Sequence, residues 1–87
     1  MNEKVTKSKI IEAVLFASDV PVEAGKLMKI IDGLYDESEL IEILEALNRE
    51  FEKNDRTFRV IEVAGGFQLE TLPQYGLFIE KLYQLFQ

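Results

Sequence analysis

The chain has no cysteine, no histidine and no tryptophan, and only two prolines and five glycines among its 87 residues. Each absence removes a class of protein. Without cysteine there is neither a disulfide framework nor a thiolate metal site, so stability must come from packing, and an intracellular, cytoplasmic home is expected. Without His or Cys, the side chains that most often titrate, attack or bind metal near neutral pH are missing. An enzyme would have to work with carboxylates or a lysine alone, so neither catalysis nor a cofactor is expected. The scarcity of Pro and Gly argues against long disordered tracts. No stretch approaches the roughly 20 apolar residues of a membrane helix, and the polar start from Met1 to Lys9 lacks a signal-peptide core.

What remains is an ordinary globular composition, 47% hydrophobic and 30% charged. A chain of this length buries roughly two-thirds of the surface its unfolded form exposes, enough for one modest core. Its net charge of −6 is unevenly spread. Residues 36 to 53 carry seven acids against two bases, whereas residues 1 to 35 balance at five and five. The acidic stretch Asp32 to Glu39 lacks the alternating oxygen ligands and central glycine of a calcium loop, and helix capping explains it better. Gly65-Gly66 is not followed by the lysine or the G-x-G-x-x-G spacing of a phosphate-binding loop.

Apolar periodicity sets the element order. Ile10, Ala13, Val14 and Ala17, widened by Ile11 and Leu15, predict a first, largely buried helix over Ser8 to Ala17. Ser18-Asp19-Val20-Pro21 breaks it. A second helix is expected from near Val22, carrying Leu27, Met28, Ile30 and Ile31, with Gly33 as its left-handed stop and Gly25 weakening it. In the third, Asp36 and Glu39 read as a capping box, and Leu40, Ile43, Leu44, Leu47 and Phe51 line one face, leaving Glu37, Glu42, Glu45, Asn48, Arg49, Glu50 and Glu52 on the polar side. The helix ends at Asn54-Asp55-Arg56. Two runs, Phe58 to Ala64 and Phe67 to Thr71, predict a β-hairpin turning on Gly65-Gly66. In the second run Phe67 and Leu69 alternate with Gln68 and Glu70. In the first, the adjacent Val60 and Ile61 leave a bulge or burial on both faces open.

A last helix begins at Pro73. Helix, helix, helix, hairpin, helix is the winged-helix order: a mostly α (α+β) fold in which a three-helix bundle carries a β-hairpin wing and a C-terminal helix. One domain is expected over residues 1 to 87.

Winged helices often bind DNA, so that alternative, a transcription regulator, is weighed by charge. The third helix would enter the major groove, yet it holds nearly all the excess acid, and binding to phosphates is driven by cations. The wing tip is uncharged, and Arg59 is offset by Glu62 and Glu70. Lys4, Lys7 and Lys9 read as a solvated terminal arm, so direct nucleic-acid binding is not expected; the regulator alternative would use that arm with Arg56 or Arg59. The last helix presents a different surface. Tyr75, Phe78, Ile79, Leu82, Tyr83 and Phe86, with Leu77 and Leu85, are too many apolar groups for one narrow core-facing stripe, so they either complete the core or form a protein interface.

Three segments carry a family resemblance: Ile11-Glu12-Ala13-Val14-Leu15-Phe16-Ala17-Ser18 followed by Pro21, then Leu44 to Phe51, then Val60 to Thr71 with its E-V-A-G-G-F core. Together, over about Ile10 to Tyr75, they resemble the N-terminal winged-helix domain of the segregation and condensation protein B family. The resemblance implies a non-catalytic adaptor of a bacterial chromosome condensation and partition complex, nucleoid-associated through that complex. The implied partners are a second copy of itself, the kleisin subunit called segregation and condensation protein A, and through it a structural-maintenance-of-chromosomes protein. The family pairs two winged-helix domains, the first largely for self-association and the second for much of the grip on the kleisin. The chain is therefore expected to be the N-terminal part of a longer two-domain protein.

Overall fold

The computed structural model describes residues 4–86. Thr6 opens α1 (Lys7–Ala17), its hydroxyl accepting the Lys9 amide at 3.2 Å. The buried face of α1 is Ile11 and Leu15; Ile10 and Val14 are half-buried, and Ala13, Phe16 and Ala17 are exposed. The stripe is thus turned by one position from the one periodicity suggests. Seven nearly consecutive apolar residues leave the facing direction to be decided by packing.

Ser18 shapes the exit, its hydroxyl donating to the Val20 carbonyl and accepting the Val20 amide. The chain then makes a short strand, β1 (Val22–Glu23), where a helix start was expected. β1 pairs antiparallel with a later strand, Val22 opposite Phe67 and Glu23 opposite Gly66. Pro21 holds its neighbours extended, which suits a strand better than a first helical turn. The second helix is accordingly short, α2 (Ala24–Ile30), with Leu27 buried. It ends before Gly33, which instead takes φ +85° in the turn that closes with the Leu34 amide on the Ile31 carbonyl.

The longest element, α3 (Glu37–Lys53), buries Leu40, Leu44, Leu47 and Phe51. Asp36 caps it by accepting the Ser38 amide at 2.8 Å. Only half of the expected capping box forms, because Glu39 turns away to meet the Lys7 ammonium at 2.8 Å. The helix ends in a Schellman motif: Asp55 adopts φ 56°, its amide meets the Glu52 carbonyl, and the Arg56 amide meets the Phe51 carbonyl at 2.8 Å. Two orphan carbonyls are satisfied in this way.

β2 (Phe58–Val63) and β3 (Gly66–Thr71) pair without interruption from Phe58–Thr71 to Val63–Gly66, so there is no bulge. Ile61 is half-buried on the outer face, opposite Gln68. The sheet has three strands in the order β1-β3-β2. Its two-residue turn is Ala64-Gly65 and not Gly65-Gly66, with φ 52° and 80°. Positive φ at both positions is the primed turn that matches strand twist. Ala64 is strained there, so Ala64→Gly should raise stability by about 1 kcal/mol, read from the urea unfolding midpoint. The core joins Ile11, Leu15, Leu27, Ile31 and Leu34 to the buried row of α3 and to Val60 and Phe67. Phe51 and Phe58 meet edge to face at 4.9 Å.

Beyond β3 a 3-10 turn (Pro73–Tyr75) leads into α4 (Gly76–Gln84). No side chain of α4 is buried, and its main packing is against the turn that precedes it. The radius of gyration, 14.5 Å, exceeds the ~12 Å of a compact chain of this length, because α4 projects from the body.

Candidate protein interface

The six residues singled out in the last helix, Tyr75, Phe78, Ile79, Leu82, Tyr83 and Phe86, all lie on this projecting segment. Ile79 is half-buried; Phe78, Tyr83 and Phe86 are 62%, 65% and 78% exposed. They do not complete the core. With Leu77 and Leu85 also exposed, α4 is apolar on several sides. Its polar groups are Glu80, Lys81 and Gln84, and the Lys81 ammonium stands 5.8 Å from the Phe78 ring centroid.

A second apolar surface was not legible in the sequence. Between α1 and the sheet lies an open notch of about 350 Å³, lined by Lys9, Glu12, Ala13 and Phe16 of α1 and by Phe58 and Leu69 of the sheet. Phe16 is 81% exposed. One signal was available: Phe16 follows Leu15, so it must point well away from the buried face. Its sheet partners are more than 40 residues distant, and only the fold brings them together.

Three of the basic groups near the first helix and the wing are engaged. Lys7 donates to the Gly33 carbonyl and to Glu39, both at 2.8 Å, tying the start of α1 to the α2–α3 connection. It is therefore not part of a free arm. Lys9 stands 3.5 Å from Glu12. Arg59 directs one guanidinium nitrogen to the carbonyls of Arg56 and Phe58, at 2.9 and 2.7 Å. The solvent face of α3 exposes Glu37, Glu42, Glu45, Glu50 and Glu52 against Arg49 and Lys53. A groove-reading surface would require the opposite balance. Among the described residues no helix is long and apolar enough to cross a membrane.

Helices α2 and α3 in helix-turn-helix order, with β2 and β3 as the wing, make this a winged-helix domain whose reading helix is acidic and whose C-terminal helix is bare. The family model described as Segregation and condensation complex subunit ScpB matches residues 9–86. The chain belongs to that family. It is 39% identical over 74 residues to Segregation and condensation protein B of Oceanobacillus iheyensis, covering 84% of this chain and 38% of that protein. With the protein of the same name from Syntrophotalea carbinolica it shares 34% over 74 residues, covering 85% and 36%. The chain thus spans little more than a third of the length of these relatives.

Among solved structures, a conserved hypothetical protein from Chlorobium tepidum superposes with a TM-score of 0.81 at 34% identity, over 87% of this chain and 47% of that one. A dimer of the ScpB N-terminal domain complexed with ScpA peptide superposes at 0.72 and 25% identity, over 86% of this chain and 91% of that one. The winged-helix fold is shared throughout.

Proposed function

We propose that this chain is the first winged-helix unit of a two-domain, non-catalytic adaptor in a bacterial chromosome condensation and segregation complex. It pairs with a second copy of itself and binds the kleisin subunit, segregation and condensation protein A, and through it a structural-maintenance-of-chromosomes protein. It works in the cytoplasm, at the nucleoid, without a cofactor. The observation that carries this reading is α4: a helix rich in Phe, Tyr and Leu that adds nothing to the core needs a covering partner. Kleisin binding draws support from the related N-terminal domain, which was solved as a dimer with a ScpA peptide. The family resemblance implies that much of that grip comes from the second domain; the related complex favours a share for the first.

Light scattering at high micromolar concentration should give twice the 10.0 kDa chain mass. A monomer there would refute self-association. The central segment of the kleisin should co-elute with the chain on gel filtration, and its separate elution would leave pairing as the domain's sole role. Sequence-selective DNA binding at physiological salt would overturn the adaptor reading in favour of a transcription regulator.

A further inference from the structure

We propose that α4 of one copy seats in the α1–sheet notch of a second copy, and that copy's α4 in the first, so that pairing proceeds by reciprocal exchange of the C-terminal helix. This rests on the self-association reading above and specifies its geometry. The two surfaces fit in length. From the notch a second hollow of about 640 Å³ continues along α1 past Ile10 and Val5, so the apolar track follows the 11-residue helix, roughly 16 Å at 1.5 Å per residue. α4, with nine residues, is roughly 14 Å long. Tyr75 to Phe86 together with the track approach the roughly 20 residues a side of a standard interface.

They also fit in charge. Glu12 and Lys9, 3.5 Å apart, are the two charged groups among the residues that line the notch. An opposed charge pair in an otherwise apolar notch favours a partner helix that carries the complementary pair. α4 brings Lys81 beside Glu80, so Lys81 answers Glu12 while Glu80 answers Lys9, both with opposite sign.

The exit of α4 selects a second copy over the helix's own notch. The Leu72 amide is fixed to the Thr57 carbonyl at 2.8 Å, and the Tyr75 amide closes on the Leu72 carbonyl at 3.0 Å. Leu72 is extended, at φ −64° and ψ 146°, as a residue before proline must be, and Gly76 is already helical at φ −58° and ψ −39°. The connection therefore has no loose hinge. Folding α4 back onto its own α1 would need a new bend at Tyr75-Gly76 and would lose the helical continuation at Gly76, whereas exchange keeps it and closes a two-fold pair.

The test uses sedimentation equilibrium of the chain and its variants, with circular dichroism as the fold control. Phe16 is mostly exposed in a single copy, so Phe16→Glu should leave the fold intact and raise the dimer dissociation constant by about 20-fold. Glu12→Lys and Lys81→Glu should each weaken pairing, and the two combined in one chain should restore it to within about threefold. If Phe16→Glu and Glu12→Lys are silent while Lys81→Glu weakens the dimer, α4 pairs with α4 and the exchange is wrong. A combined variant as weak as either single one also overturns it. If the unsubstituted chain is monomeric, self-association itself fails, a result distinct from a dimer that tolerates Phe16→Glu.

Discussion

Asn48→Asp should cost about 3 kcal/mol of stability, although it changes one amide nitrogen to oxygen. The Asn48 side chain holds Val60 of β2 at both polar backbone groups, accepting its amide at 2.7 Å and donating to its carbonyl at 2.9 Å. It is the bolt between α3 and the sheet. A carboxylate keeps the first bond, loses the second, and sets an oxygen against the Val60 carbonyl. An uncompensated group of this kind costs about 1–3 kcal/mol, with repulsion added. Asn48→Leu, which abandons both groups, should cost about 3 kcal/mol as well. The pH dependence separates the two. Protonation restores the donor in the Asn48→Asp protein, so its folded state holds that proton more tightly than the unfolded chain does. Its deficit should therefore be full near pH 7 and shrink as the pH falls through the carboxyl range, while that of Asn48→Leu stays constant. Urea unfolding at several pH values reads both. Equal deficits at all pH values would mean that the Asn48 amide is not what holds Val60.

The neighbouring glycines should respond in opposite ways. A Cβ on Gly66 would stand 3.0 Å from the Val22 carbonyl carbon and oxygen and 3.1 Å from Pro21 Cβ. Those are mostly backbone atoms of the strand that Gly66 pairs with, and they cannot swing aside. Gly66→Asn should push β1 off the sheet and cost about 3 kcal/mol, the upper end of the overpacking range. Gly65 has open space around it, and its φ of +80° is one that Asn tolerates. Gly65→Asn should therefore cost less than about 1 kcal/mol. Thermal unfolding of the pair decides the matter: similar melting temperatures would show that β1 does not need the close approach.

That contrast also marks where sequence reading succeeds and stops. Helix α3 was legible because Leu40, Leu44, Leu47 and Phe51 repeat cleanly and Asp36 announces the start. The hairpin was legible, but its register was off by one residue. Adjacent glycines suggest a glycine turn, whereas one of them is needed for clearance against β1 and the strained position falls to Ala64. Two-residue β1 has no periodicity to detect. Asn48 looked like one more polar group on the outer face of α3, since nothing local shows that a strand 12 residues later will dock against it. For the interface, the apolar surplus of α4 was visible from composition alone. What it lacked was direction: hydrophobicity requires a neighbour without saying which, and the notch of Phe16, Phe58 and Leu69 exists only after folding.

The clasp of Asn48 on Val60 has a consequence for what can bind. β2 lies at one edge of the sheet, and a ligand strand would need its outward amides and carbonyls. With Val60 facing outward, Phe58 and Glu62 share that side; Val60 is taken by Asn48, and the Phe58 carbonyl by Arg59. The other edge, β1, is two residues long. The middle of one margin is thus occupied and the other is short, which leaves a poor template for strand addition and favours a segment that docks through side chains in a groove.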